Sequence, residues 1–345
     1  GYRPEKDLTG RGPLEALSAG VPINKTDIVF RCNLITINDG LIEDYSAGHI
    51  TTEESRSLIG YIQTHLKQDG VDFFPGVQYR HILKLDGNKY SPEIHLAAPH
   101  DQLDKPYKKF LAKPKDPYDI KAKKTANVVN QLIESSYKLL INHEVNKNRA
   151  KNGKRIATHI WPWSGGEKPR LKSFKEKYGL EGAVISAVDL IFGLGIAAGL
   201  KPIHVEGATG LPNTNYKGKV KAALNALKEK DLVFLHVEAT DEMGHTGDPK
   251  RKMSALKDFD QFIVKPFIEA EEVLNNELVI AVLPDHPTPC KIRTHSNEPI
   301  PFAIYNPKKP SKMNSSRKYS EKSGKEGEYG LIENGEEFIR LLLLS

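Results

Sequence analysis

The sequence predicts a two-domain α/β protein whose larger domain carries a mainly parallel sheet. Three observations lead there. The chain has 345 residues, and at roughly 150 residues per domain that length holds about two. From residue 156 onward, short apolar runs alternate with helical patterns, the rhythm of a parallel sheet covered by helices. Between residues 25 and 154 that alternation is sparser, which reads as a smaller α/β domain inserted into the first. The larger domain then comprises residues 1–24 and 155–345, and the insertion residues 25–154.

Near the start, Gly10, Gly12 and Pro13 mark a turn into a short helix. Pro13 suits the first helical turn, and Glu15 its positive end. Residues 27–37 are rich in β-branched side chains and read as a strand. Asn38, Asp39 and Gly40 make a tight hairpin turn, with residues 41–45 as the return strand. Thr51 or Thr52 caps a helix to about residue 67, with Glu53 and Glu54 in its first turn. Residues 71–85 read as two strands around Pro75 and Gly76. Residues 99–120 read as a loop rich in Pro and Lys, 126–146 as one long helix, and 148–154 as a basic linker. Strands follow at 155–161, 182–186 and 201–205, then buried strands at 231–238 and 278–283. Helices at 173–178, 188–198, 216–230 and 251–274 alternate with them. Residues 307–329, rich in Lys, Ser and Gly, read as a mobile loop, and 336–344 as a closing helix.

Composition bounds the function. Apolar residues make up 39% and charged residues 27%, the balance of a globular protein. No apolar run reaches the roughly 20 residues of a membrane-spanning helix. Fifty Lys and Arg against 44 Asp and Glu give a net charge of +6. That mild excess fits anionic small-molecule substrates and is too weak to argue for nucleic acid. Two cysteines, Cys32 and Cys290, exclude a disulfide scaffold and favour a reducing compartment such as the cytoplasm. The first residue is Gly1, and the opening matches neither a signal peptide nor a transit sequence. It reads like a chain entered part-way along. Oligomeric state is open.

Ligands of open α/β sheets gather at the carboxyl ends of strands. Two predicted strands end in metal-ligand residue types. After the strand at 231–238 come Asp241 and His245; after the strand at 278–283 come Asp285 and His286, with His295 beyond. Carboxylate and imidazole ligands suit manganese or zinc. Asp-x-x-x-His can converge on one ion, and Asp285 with His286 can serve the same ion or a second. Two metals about 4 Å apart clamp the attacking and leaving oxygens of a phosphoryl displacement. A lone His near a strand end is usually a satisfied polar residue. Five such groups at successive strand ends argue for a metal centre.

The stretches around Asp241 and His245, around Asp285 and His286, and from His295 to Phe302 resemble the alkaline phosphatase superfamily. The whole chain resembles, more narrowly, the archaeal-type 2,3-bisphosphoglycerate-independent phosphoglycerate mutases. Further segments carry that resemblance: Thr9 to Glu15, Phe30 to Asn33, Asp44 to His49, Phe74 to His81, Trp161 to Gly166 and Ser173 to Gly179. It implies an alkaline-phosphatase-like three-layer core and an inserted substrate domain. It implies two divalent ions, manganese foremost with zinc or cobalt as alternatives, and no 2,3-bisphosphoglycerate. One ion would be held by Asp241, His245 and His295. The second would take Asp285, His286, an Asp and a nucleophilic Ser. The resemblance places that Asp and Ser ahead of Gly1, so the sequence as given is expected to lack the nucleophile. The implied reaction interconverts 3- and 2-phosphoglycerate through a phosphoserine, in glycolysis and gluconeogenesis. Two rival readings are a metal-dependent phosphomonoesterase or phosphopentomutase-like enzyme, and an inactive relative that only binds metal or phosphate.

The resemblance also points to substrate residues. Lys219 matches a lysine expected to pair with the phosphoserine, against the alternative of a solvated lysine at a helix start. Arg80 and His81, on a strand of the insertion, are substrate candidates beside Tyr79. His49, His100 and Asp101 sit in loops flanked by Gly or Pro, and Arg31 on a strand needs an anionic partner. Trp161 and Trp163 read as packing at the domain junction, and His65, His143 and His159 as structural.

Overall fold

A computed structural model describes residues 1–270, 277–309 and 318–344. The chain divides into two compact units, one formed by Gly1–Asp7 with Leu171–Ser345 and the other by Leu8–Arg170. The boundaries therefore fall at 7/8 and 170/171, and not at 24/25 and 154/155. Pairing explains the shift. The helix Arg11–Ser18 buries Leu14 and Ala16 beside the strand that follows, and a strand after residue 155 pairs with that same strand.

That strand is β1, Ile28–Asn38, and it is the spine of the second unit. Its β-branched residues bury all but the last side chain. The hairpin turns at Asp39 and Gly40 into β2, Leu41–Asp44. The helix Thr52–Leu66 starts as expected, with a capping box in which Thr51 and Glu54 satisfy each other's backbone N–H groups. β3, Val71–Val77, runs through Pro75 instead of turning there. β3 is an edge strand in the order β2-β1-β4-β3, where the missing proline N–H costs no ladder bond. The turn falls at Gln78, with φ 53°, before β4, Arg80–Leu85. The expected loop at 99–120 contains two 3-10 turns and one strand of the short pair β5, Ile94–His95, and β6, Lys113–Pro114.

The single helix expected at 126–146 is two. Asp119 caps Ile120–Leu140, and His143 caps Glu144–Lys151. The Asn146 amide, in the second helix, donates to the carbonyl of Leu140 at the end of the first, a group that a continuous helix would have bonded itself, and also to Ala157 O. β7, His159–Glu167, starts and ends later than expected because its register with β1 runs from Ile35↔His159 to Ile28↔Glu167. The sheet is antiparallel throughout, and helices cover a core that includes Phe30, Leu34, Ile59, Leu83, Ile133 and Trp161. Trp161 and Trp163 are buried inside this unit, donating to Ala97 O and Asn33 Oδ1.

The first unit holds the parallel strands β8, Gly182–Ile185, β9, Lys201–Pro202, and β10, Leu232–Leu235, in the order β10-β8-β9. Helices Phe174–Tyr178, Asp189–Ala197 and Tyr216–Ala226 alternate with them. Among the described residues the parallel arrangement stops at those three strands. β11, Ile280–Val282, instead pairs antiparallel with β12, Ala303–Tyr305. β10 and β11 were both expected to be buried, yet Phe234 is 49% exposed and no β11 residue is buried. β10 pairs on one side only among the described residues, so its side chains lack neighbours on the other. The helix expected at 251–274 starts at Pro249, capped by Asp248, passes through a π-helical turn at Asp260–Val264, and continues over Lys265–Ala270. Its last expected residues, 271–274, lie outside the described residues. So does part of the loop at 307–329, whose described portion includes a helical turn, Glu321–Lys325. Helix Gly335–Leu344 closes the chain.

Candidate functional site

In the first unit, β10 ends at Leu235 and the helix Ala239–Thr246 follows directly. Four-residue spacing sets Asp241 and His245 on one face of that helix. His245 Nε2 lies 3.2 Å from Asp241 Oδ2. The loop after β11 brings in the other groups. His295 Nε2 is 3.4 Å and His286 Nδ1 4.0 Å from Asp241 Oδ1, and His286 Nε2 is 3.4 Å from Asp285 Oδ2. The rings of His286 and His295 stand 3.8 Å apart. One ligand atom each from Asp241, His286 and His295 falls within 4.8 Å of the others. The five residues thus form one continuous cluster, in which His286 lies nearer Asp285 than Asp241 but still groups with Asp241 and His295.

Several further contacts hold the cluster. The Thr288 hydroxyl donates to Asp241 Oδ1 and lies 3.3 Å from His286 Nδ1. A Cβ at Gly244 would come within 2.5 Å of the Thr288 carbonyl, so only glycine lets the loop approach the helix this closely. Lys252 Nζ donates to the same carbonyl at 2.6 Å, and His245 Nδ1 meets Arg293 O at 3.0 Å. That second contact leaves Nε2 of His245 to face Asp241.

Lys219 sits on the helix Tyr216–Ala226 with its side chain fully buried, and Nζ donates to His236 O at 3.0 Å. Burial lowers its pKa, while Glu238 opposes that shift. The Glu238 carboxyl is pushed up to about 7, first by burial and then by repulsion from Glu242, Asp241 and Asp285. His236 is held at Nδ1 by the Ser186 hydroxyl at 3.1 Å, and burial lowers its pKa.

In the second unit, Arg31, Asn33 and Arg80 share one face of the sheet, because Asn33 pairs with Arg80 and side chains alternate along a strand. Arg31 is 6% exposed. Its Nε lies 3.0 Å from Glu15 Oε2 without the alignment of a hydrogen bond, and its guanidinium stacks 4.4 Å over Trp163. Its pKa falls to about 10 through burial, and Arg11 and Arg80 add repulsion that Glu15 opposes. Arg80 Nε is likewise buried without a hydrogen-bond partner. The His100 ring packs on Trp163 and Tyr45, and Asp101 lies 3.7 Å from His100. Arg31, Arg80 and His100 therefore surround one aromatic patch. His81 does not join them. It pairs with Cys32 on the opposite face, 2% exposed, accepting from Gly76 N–H through Nδ1. His49 occupies an exposed left-handed turn position, φ 51°.

A family model described as 2,3-bisphosphoglycerate-independent phosphoglycerate mutase matches residues 1–146. A protein of that name from Methanosarcina mazei is 45% identical over 345 residues, 100% of this chain and 84% of the relative. The chain belongs to the 2,3-bisphosphoglycerate-independent phosphoglycerate mutases. A second such mutase, from Methanothrix thermoacetophila, is 43% identical over 99% of this chain and 83% of its own length. Among solved structures, the cofactor-independent phosphoglycerate mutase from Thermoplasma acidophilum matches with a TM-score of 0.66 at 27% identity, covering 100% of this chain and 83% of that one. A protein from Pyrococcus horikoshii matches with a TM-score of 0.77 at 26% identity, covering 99% and 80%.

For this member of the mutase family, sequence reasoning missed Thr288, Glu238, His236 and Ser186. Thr288 lies between Pro287 and Pro289, a rigid frame that could have marked it. His236 and Glu238 follow β10 directly, but nothing local shows that Ser186, on a different strand end, meets His236.

Proposed function

We propose that this mutase interconverts 3-phosphoglycerate and 2-phosphoglycerate with two divalent metal ions and a phosphoserine intermediate. The observation that carries the metal reading is the convergence of Asp241, His286 and His295 within 4.8 Å. One carboxylate and two imidazoles fit manganese or zinc, with cobalt also compatible. Asp241, His245 and His295 would hold one ion, and Asp285 and His286 would contribute to the second. Bound there, the ions would supply positive charge to the phosphoryl oxygens and lower the pKa of the attacking hydroxyl.

The remaining residues act on substrate. The buried Lys219 ammonium offers fixed positive charge to the phosphoserine without needing to reorganise. In the first transfer, the O3–P bond breaks, the phosphoryl group moves to serine Oγ, and the serine proton passes to the glycerate 3-oxygen. In the second, the serine Oγ–P bond breaks, the phosphoryl group moves to the glycerate 2-oxygen, and the 2-hydroxyl proton passes to serine Oγ. Arg31 and Arg80, whose Nε atoms are buried without a hydrogen bond and whose guanidinium groups lie beside aromatic rings, suit the carboxylate or phosphate of phosphoglycerate. An alkaline-phosphatase-like three-layer core with an inserted domain belongs to the same reading. The activity sets the enzyme among those of glycolysis and gluconeogenesis, in the cytoplasm. No described helix is long and apolar enough to cross a membrane.

The test is phosphorus NMR of 3-phosphoglycerate incubated with the enzyme and no 2,3-bisphosphoglycerate. 2-Phosphoglycerate should accumulate, vanish as a product after chelation, and return when manganese is restored. Inorganic phosphate as the main product would replace this reading with a phosphomonoesterase.

A further inference from the structure

A cleft of about 510 Å³ lies in the first unit between the helix Tyr216–Ala226 and residues 262–270. Val220, Leu224, Phe262 and Pro266 line its floor. Phe262 comes from the π-helical turn Asp260–Val264, a kind of turn that recurs at functional positions. Lys217, Lys221 and Lys228 also line the cleft, and no carboxylate does among the described residues. Lys217 and Lys221 have no ion pair among the described residues either.

Lys217 and Lys221 stand one turn apart on one face of the helix, about 6 Å along its axis. Lys219, between them, turns the other way into the protein and bonds His236 O. The cleft is thus on the side of this helix away from Lys219, separate from the proposed metal chemistry.

We propose that this groove docks an acidic amphipathic helix of a partner protein. A shallow apolar channel between two helices is the form that receives the apolar face of a third. Its lysines are spread along the channel, with Lys228 beyond the helix end, so they match several carboxylates on one ligand better than a single anionic head group. Complementary charge then sets orientation and selects against basic partners.

The probes are two fluorescein-labelled peptides with leucine on one helical face, flanked by glutamate in one and by lysine in the other. The acidic peptide should bind saturably, weaken with added salt, and perturb the amides of Val220, Leu224 and Phe262. The double variant K217E/K221E should lose at least about tenfold in affinity for the acidic peptide and gain for the basic one. An unchanged far-UV circular dichroism spectrum checks that both proteins are folded. The proposal is overturned if the acidic peptide fails to bind, if both peptides bind alike, or if the double variant keeps the original preference. Displacement of the peptide by dodecanoate, with the same amides perturbed, would assign the groove to an anionic amphiphile and overturn it equally.

Discussion

Lys219 Nζ donates to the main-chain carbonyl of His236 at 3.0 Å, fixing a fully buried ammonium beside the carboxyl end of β10. Such a charge is costly to hold unless an anion comes to it. Glu238 supplies only part of that compensation, because its own carboxyl is pushed up to about 7 by burial and by three neighbouring carboxylates.

Replacing Lys219 with Ala is expected to lower kcat by about 10²–10³-fold, while manganese content by elemental analysis stays as in the parent. Lys219→Arg should fail to rescue, since a planar guanidinium does not occupy the space of a compact ammonium. Full turnover in the Ala variant would remove Lys219 from the reaction.

Thr288 tethers Asp241 and touches His286, so it orients two proposed ligands without being one. Thr288→Val should weaken manganese binding by about 10–100-fold, measured by titration calorimetry, with secondary structure retained. Unaltered affinity would show that the hydroxyl does not position the centre.

Arg31 combines near-complete burial, a poorly aligned contact to Glu15 and repulsion from Arg80. Arg31→Met should raise KM for phosphoglycerate by at least about tenfold, beyond any loss of stability from leaving Glu15 without this partner. A variant with parental KM would assign Arg31 to packing alone.

Acid should weaken the second unit through His81 and His159. Burial lowers the pKa of His81 to about 3 and that of His159 to about 4. The unfolded chain protonates both near their ordinary value of about 6.5. Their neutral burial is therefore fully tolerated above that pH. Below it the unfolded state takes up protons first, and stability falls as pH drops towards 4. Each histidine contributes a slope of about 1.4 kcal/mol per pH unit in that window. Urea midpoints at neutral pH and near pH 5 measure the loss, and His159→Phe should reduce it. An identical slope in the variant would exclude His159 as a source.

Local chemistry was readable wherever neighbours in sequence satisfied one another. Thr51 with Glu54 and the hairpin at Asp39 form as expected. Asp241 and His245 needed only helical spacing to be recognised as a pair. Elements whose limits depend on distant partners were misplaced. β3 passes through Pro75 because it lies at a sheet edge, and β7 extends to Glu167 because β1 offers it a ladder that far.

By itself the sequence determined the α/β class, the five groups of the candidate metal centre and the family resemblance, since residue type and short spacing carry those signals. Tertiary structure alone decided that β8 rather than β11 lies beside β10, that Thr288 braces Asp241, and that Arg80 shares a sheet face with Asn33 and Arg31. Each of these depends on strand register or on loop closure between residues far apart in the chain, and a shift of one residue in register would reverse which face a side chain occupies.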